Sequence, residues 1–437
     1  DAPSAELLSA LDIHNKHSEL VRKSIVDQKD RVLVLAKTGG GHRLGHISYR
    51  MLSTAQLFAS IPDQELANHV RLRSGGDVLL ITSLYAEHGE QHGYYFQLLL
   101  SELLAHALER IRDNGPEGFY SGPIAEAMID AVQRAGGVLV QEDLDNYKCW
   151  EEETVSTVHN GYTVISSPSP SSGGTFIIET LNIMEHLEKY EHGSAEWAHQ
   201  LAEVQKMVFA DRGQYMADTR FVEVPISGIT NKDYAAKLAA KVDMTQAQTF
   251  LFDDPWPYVD DHYNTTGYEV ADKEGNMVAV TKTLNYWWGS EVYVEDYGFF
   301  MNDQMDDFVT GKQSANSVEP GKAPLSSISP TVVLDSQGKP FAVLASPGGS
   351  AIYPCIAQLI LNMTDYGMTL EEAFLAPRVI CNGFEFTYDK LSKETVDELK
   401  SLGHENILEG TFPSPSGIRY ANGKLEGIVN EANPDGA

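Results

Sequence analysis

At 437 residues and 48.2 kDa the chain is longer than one hydrophobic core usually serves, so two lobes or one large layered domain are expected. Acidic residues outnumber basic ones 62 to 32, and the formal net charge of −30 repels phosphate backbones and anionic lipid. Nucleic acid and membrane surfaces are therefore poor partners, and the charge first of all serves solubility.

In chain order, the first distinctive stretch is "TGGGHRLGHISYRMLSTAQ", a glycine run (Gly39–Gly41) followed by Arg43 and Arg50. His42 and His46 beside it read as ordinary residues of a glycine-rich stretch rather than as metal ligands. Nor does "HGEQH" (His88, Glu90, His92) read as a metal site, because the order His-Glu-x-x-His is absent and Gly89 disfavours a helix. The apolar run "YYFQLLLSELLAHAL" is broken by Gln97, Ser101, Glu102 and His106 and is too short to cross a bilayer, so a core helix and no membrane span are expected. No basic-plus-apolar leader opens the sequence, which reads as a cytoplasmic protein or a mature form whose signal has been removed. "SGPIAEAMIDAVQRAGG" predicts a helix with Pro123 in the first turn and Gly136 and Gly137 as its stop. "GYTVISSPSPSSGG" predicts a short strand and a Pro/Ser/Gly loop that can be plain punctuation. A second strong helix is expected over "SAEWAHQLAEVQKMVFADRGQYM". Cys149, Cys355 and Cys381 lie far apart without CxxC spacing, so buried free thiols are expected rather than a zinc site or disulfides.

The acidic, proline-bearing segment "FDDPWPYVDDHYN" cannot pack as a core strand and reads as exposed and flexible, marking a boundary near residue 264. Beyond it, β-branched residues and turn dipeptides recur at strand spacing. "NTTGYEVADKEGNMVAVTKTLN" is a hairpin; a turn centred on Glu274 pairs residues whose numbers sum to 548, which sets Thr265 across from Thr283, about 5 Å away. Thr281, Thr283 and Asn285 then share one face, with Val278, Val280 and Lys282 on the other. Such a threonine ladder can be mere β-propensity. The other reading is chemical: if the chain is cut between Asn264 and Thr265, the freed α-amino group, with a pKa of about 8, becomes a general base on the same residue as the hydroxyl nucleophile. "ASPGGSAIYP" can supply oxyanion donors, since Gly348 and Gly349 let backbone N–H groups converge, or it can be a turn. Tyr286, Trp287 and Trp288 can wall a pocket or pack in a core. Asp306 beside Asp307 is expected to face solvent by strand alternation. Asn362-Met363-Thr364 and Asn264-Thr265-Thr266 fit the glycosylation pattern by letter alone.

From roughly residue 100 onward the sequence resembles the γ-glutamyltranspeptidases (glutathione hydrolases) of the N-terminal-nucleophile hydrolase superfamily. The resemblance rests on "GFYSGPIAEAMIDAVQRAGGVLVQEDLDNY", "SPSPSSGGTFIIETLNIME" and "FADRGQYMADTRFVEVP", then "TTGYEVADKEGNMVAVTKTLN", "GFFMNDQMDDF", "PGKAPLSSISPTVV" and "SPGGS", in family order. It implies an α+β fold, a four-layer αββα sandwich, matured by autocleavage into a large-subunit region (1–264) and a small-subunit region (265–437) of one precursor. Residues 1–95 match the family poorly. By resemblance Thr265 is the nucleophile and Thr283 orients it. Gly348 and Gly349 form the oxyanion hole, and Asn285, Gln304, Asp307, Ser326 and Ser327 grip the glutamyl head group. Charge agrees: an α-ammonium wants a carboxylate (Asp307), and an α-carboxylate wants hydroxyl donors (Ser326, Ser327). Arg50 is the candidate for the family's carboxylate-binding arginine. Gly267 stands where the family has histidine, so a looser strand or a more open acceptor side is expected. No cofactor or metal is implied. Donors would be glutathione and related γ-glutamyl amides, acceptors water or amines and peptides, and the location periplasmic or extracellular. Two alternatives remain: an N-terminal-threonine acylase with another acyl group, and an uncleaved binding relative.

Overall fold

Phe341 to Ala345 are apolar at every position, a run without alternation that suits a strand covered on both faces. In the computed structural model all five are buried. The structure describes short strands within 46–84 and residues 103–249, 265–286, 288–310, 314–421 and 423–428. The chain divides into two bodies: the described residues through 149 with 290–301, and residues 150–289 with those from 302 onward.

The smaller body is built on α1 (Pro123–Arg134), which starts at a proline and is followed by Gly136 at φ 92°. Ile124, Ala125, Met128 and Ala131 form its buried stripe, packed with Leu144 and Val294. Of the expected core helix, residues 103–114 are described and helical, but Ala107 points inward while Leu104 and Leu108 are exposed.

The larger body runs β1 (Val155–His159), β2 (Tyr162–Ser166), α2 (Gly173–Met184), α3 (Ala195–Tyr215), α4 (Lys232–Ala239), and the hairpin β3 (Thr265–Ala271) and β4 (Met277–Thr283). Then follow β5 (Thr331–Leu334), β6 (Pro340–Ala345), α5 (Ile352–Thr364), β7 (Arg378–Cys381), β8 (Phe386–Asp389), α6 (Lys393–Ser401), β9 (Ile407–Glu409), β10 (Ser416–Ala421) and β11 (Lys424–Ile428). Six strands form one antiparallel sheet in the order β11-β10-β6-β5-β2-β1. Because β2 pairs with β5, the boundary at 264 divides the chain without dividing this sheet. Helices α2, α3 and α5 join the sheet in one core, and α2 is buried from Gly173 to Ile183, the polar side chains of Thr175, Glu179, Thr180 and Asn182 included. The hairpin packs on β6 and β10. Helices, central sheet and hairpin are thus three successive layers of the expected sandwich, and the class is α+β.

The hairpin register is the one derived from its sequence: Thr265 faces Thr283 and Gly267 faces Thr281, with Gly275 at φ 96° in the turn. The strand is not loose at Gly267. A Cβ there would sit 2.6 Å from Ala345 Cβ and 3.3 Å from the Ser346 nitrogen, so the missing side chain lets β3 press onto the end of β6. Cys355 and Cys381 are buried free thiols as expected, whereas Cys149 is exposed. Asn362, buried on α5 with its amide donating to the Ala373 carbonyl, cannot be a glycan acceptor.

Gly267→Ala should destabilise the protein by about 1–3 kcal/mol through overpacking, and adding Ala345→Gly should restore part of the loss. Urea unfolding of the two single variants and the double variant checks this; strictly additive losses would remove the contact from the account.

Candidate active site

Thr265 heads β3, directly opposite Thr283 at the end of β4. Thr283 Oγ1 accepts the Asn285 N–H at 2.8 Å, which turns the chain sharply enough to hold Asn285 at φ 74°. Of the threonines on this face, Thr283 closes the turn, whereas Thr281 Oγ1 is buried without a partner among the described residues.

From this strand end a continuous series of hydrogen bonds leads to the other head-group candidates. The Asp303 N–H donates to the Leu284 carbonyl at 3.1 Å, and the Tyr286 N–H donates to Asp303 Oδ1 at 3.0 Å. Asp303 precedes a 3₁₀ turn, Gln304–Asp307, with its carbonyl accepting the Asp306 N–H at 2.8 Å, and inside the turn the Gln304 amide donates to the Asp307 carboxylate. Asn316 carries the series onward, its Nδ2 donating to the Asp307 carbonyl at 2.7 Å and its Oδ1 accepting the Leu325 N–H at 3.0 Å. Leu325 precedes Ser326 and Ser327. The structure thus brings Thr265, Thr283, Asn285, Gln304, Asp307, Ser326 and Ser327 into one connected scaffold.

Gly348 (φ 127°) and Gly349 (φ 52°) follow β6 and lead through a short 3₁₀ turn into α5. Both angles lie where side chains are disfavoured, so the pair is conformationally required. Since β3 rests on Ala345 and Ser346, the glycine pair begins two residues beyond that crossing.

The serine-rich loop 167–174 is more than punctuation. It runs along 326–329: the Ser326 N–H donates to the Pro170 carbonyl at 3.1 Å, the Ser172 N–H to the Ser326 carbonyl at 2.8 Å, and Ser167 Oγ to the Ile328 carbonyl at 3.0 Å. A Cβ at Gly173 would collide with Ser329 Oγ and the Ser327 carbonyl, which explains a glycine at the head of α2. The buried Asp218 adds a brace, its Oδ2 accepting the Ala323 N–H at 2.9 Å and its carboxylate also holding Arg220. Ser172, Arg212, Asp218 and Asn316 were not singled out from sequence. "FADRGQYMADTR" contained two of them, but nothing in its spacing points to residues more than a hundred positions away.

Two carboxyl groups titrate near neutrality. Burial pushes Asp307 up to about 7, against the opposing pull of Arg212 and the Gln304 hydrogen bond and with help from Asp306 and Asp303. Burial likewise pushes Glu269, on the inward face of β3, up to about 7, although it accepts from Ser416 Oγ at 2.9 Å and from the Ala345 backbone. Asp306 is exposed as expected, for a different reason: it lies in the 3₁₀ turn rather than a strand, and its carboxylate accepts the Tyr286 hydroxyl. Trp288 is exposed, while Trp287, Asn264, Arg43, Arg50 and the histidines at 42, 88 and 92 lie outside the described residues, and His46 is described only as backbone in the short strand His46–Ile47. Among the described residues His199, Glu203 and His404 could together reach a metal ion. Their atoms are engaged otherwise: the two rings hydrogen-bond each other at 2.7 Å, His199 Nε2 donates to the Asp243 carbonyl at 2.8 Å, and Glu203 pairs with Lys206.

A threonine-headed hairpin laid on a buried antiparallel sheet is the build of the N-terminal-nucleophile hydrolases. The cephalosporin acylase from Bacillus halodurans has this fold, with a TM-score of 0.69 at 23% identity over 82% of this chain and 62% of that one. The family model described as Gamma-glutamyltranspeptidase matches residues 67–436, and the chain belongs to that family. The glutathione hydrolase proenzyme of Escherichia coli (strain K12) is 39% identical over 356 residues, 77% of this chain and 61% of that protein. The acylase ACY 1 proenzyme of Pseudomonas sp. (strain SE83) is 34% identical over 306 residues, 69% of this chain and 54% of that protein. The chain therefore spans about three-fifths or less of the length of these curated relatives.

Glu269 binds its proton more tightly folded than unfolded, so its contribution to stability is full below about 4.5 and is lost as pH rises to about 7. Glu269→Gln should remove that decline and leave the variant more stable than the parent at pH 8, by on the order of 2 kcal/mol. Melting temperatures of both proteins from pH 4 to 8 test it; parallel curves would contradict it.

Proposed function

We propose that the chain, once cut between Asn264 and Thr265, transfers the γ-glutamyl group of glutathione and related γ-glutamyl amides to water or to amine and peptide acceptors. The observation that carries this reading is the placement of Thr265 at the head of a strand directly across from Thr283, in the same hydrogen-bonded scaffold as Asp307 and the serine pair. In the proposed mechanism the Thr265 α-amino group takes the proton of its own hydroxyl as Oγ1 attacks the γ-amide carbonyl. The N–H groups of Gly348 and Gly349 stabilise the tetrahedral oxyanion. Collapse passes the proton to the departing amine and leaves a γ-glutamyl ester on Thr265. Water or an acceptor amine then attacks the ester, restoring the hydroxyl. Asp307 reads the α-ammonium, Ser326 and Ser327 the α-carboxylate, and Asn285 and Gln304 complete the grip. The large and small regions of one precursor act together, in a periplasmic or extracellular location. No helix among the described residues is long and apolar enough to cross a membrane.

A second reading, an acylase with a different acyl group, is favoured by the 34% identity to the acylase ACY 1 proenzyme and by Asp307 being incompletely ionised near pH 7.

Thr265→Ala should abolish both self-cleavage and turnover, because one hydroxyl attacks first the preceding carbonyl and then the substrate. A two-band denaturing gel from that variant would defeat the assignment.

Asp307 supplies the second test. An ammonium needs the ionised carboxylate, so kcat/KM for a γ-glutamyl anilide, divided by that for a glutaryl anilide lacking the amine, should rise through pH 7 and level off above it. Asp307→Asn should flatten that ratio and lower γ-glutamyl turnover by roughly 30- to 1,000-fold while sparing the glutaryl donor. A wild type that prefers the glutaryl donor would give the acylase reading the lead.

A further inference from the structure

Arg212, in the last turn of α3, is half-buried and reaches two serines. Its Nε donates to Ser172 Oγ at 3.0 Å and its Nη2 to Ser327 Oγ at 2.9 Å. Ser172 passes the constraint on, its own hydroxyl donating to the Ser326 carbonyl at 2.8 Å. A guanidinium has donors and no acceptor, so Ser327 Oγ can only accept from it. The single hydroxyl hydrogen of Ser327 is thereby left for another acceptor, and none among the described residues takes it. Ser326 is in the same condition: its Oγ accepts the Ile328 N–H at 3.3 Å, and its hydroxyl hydrogen has no acceptor among the described residues. The backbone of the pair is already fixed by the 167–172 loop, so two hydroxyls are held that each accept one hydrogen bond and have their O–H left to donate. Such a pair is prepared for an anion. Arg212 also brings a full positive charge close enough to act on Asp307, the residue assigned to the opposite charge of the substrate.

We propose that Arg212 is the positioning residue for the carboxylate end of the donor: it orients Ser327 directly, and Ser326 through Ser172, as hydroxyl donors, and it places a positive potential behind them. The assignment rests on the γ-glutamyl reading of the site. It gives the described residues a cationic support for the carboxylate that does not depend on Arg50. A lysine could not replace it, because one ammonium cannot span both serines with the fixed fork of a guanidinium.

The experiment uses the cleaved enzyme and three anilides: γ-glutamyl, glutaryl, which keeps the carboxylate and lacks the amine, and 4-aminobutanoyl, which keeps the amine and lacks the carboxylate. Arg212→Met should lower kcat/KM for both carboxylate-bearing donors by roughly 10- to 100-fold, chiefly through KM, the scale of one lost charge-assisted hydrogen bond. The 4-aminobutanoyl donor should change by less than about threefold. Arg212→Lys should lose on the same two donors, to a smaller extent, and serves if the methionine variant fails to fold. Ser327→Ala should cost much less in the Arg212→Met background than in the wild type, since the two changes break the same arrangement. Equal losses on all three donors, or additive losses with Ser327→Ala, would make Arg212 a structural residue only and overturn the inference. A wild type that ignores both carboxylate-bearing donors would instead overturn the functional reading, and this is seen before any variant is made.

Discussion

Strand β3 crosses the end of β6 where neither chain offers bulk, Gly267 having no side chain and Ala345 only a methyl. This close approach fixes the height of the hairpin above the central sheet, and with it the position of Thr265, two residues before the crossing, relative to Gly348 and Gly349, which follow it. Apolar packing sets the distance; hydrogen bonds set the orientation. Glu269 on the same face of β3 adds a polar tie to Ala345 and Ser416, at the cost of burying a carboxyl group that prefers to keep its proton up to about pH 7.

The head-group side is organised by a different rule, that polar groups removed from water must find partners. Four loops with little regular structure of their own, 167–174, 284–286, 303–307 and 323–329, are joined by backbone and Asn316, Asp218 and Arg212 side-chain hydrogen bonds. A chain with a net charge of −30 gathers here a cationic group and a carboxyl poised near neutrality, rather than a uniformly negative surface.

Much of this was legible in the sequence where local rules decide. The Thr265–Thr283 pairing follows from one turn and the two-residue period of strands, and α1 follows from its proline, glycines and apolar spacing. The tight crossing at Gly267 was not legible, because its cause lies 78 positions away in Ala345 and a lone glycine in a strand reads as looseness. The bracing role of the 167–174 loop escaped for the same reason: serine and proline signal a turn locally, and only the fold reveals that the loop runs beside 326–329. Asp306 was placed correctly by a strand rule that does not apply to it, since it lies in a 3₁₀ turn.

The proposed chemistry requires Thr265 to become an N-terminal nucleophile. Intact-protein mass spectrometry after brief incubation with a γ-glutamyl donor, followed by peptide mapping, addresses it most directly. A fragment beginning at Thr265 should gain the mass of one γ-glutamyl residue, carried on the peptide containing that threonine. A turnover-competent chain that stays uncut, or an adduct on any other residue, would contradict it.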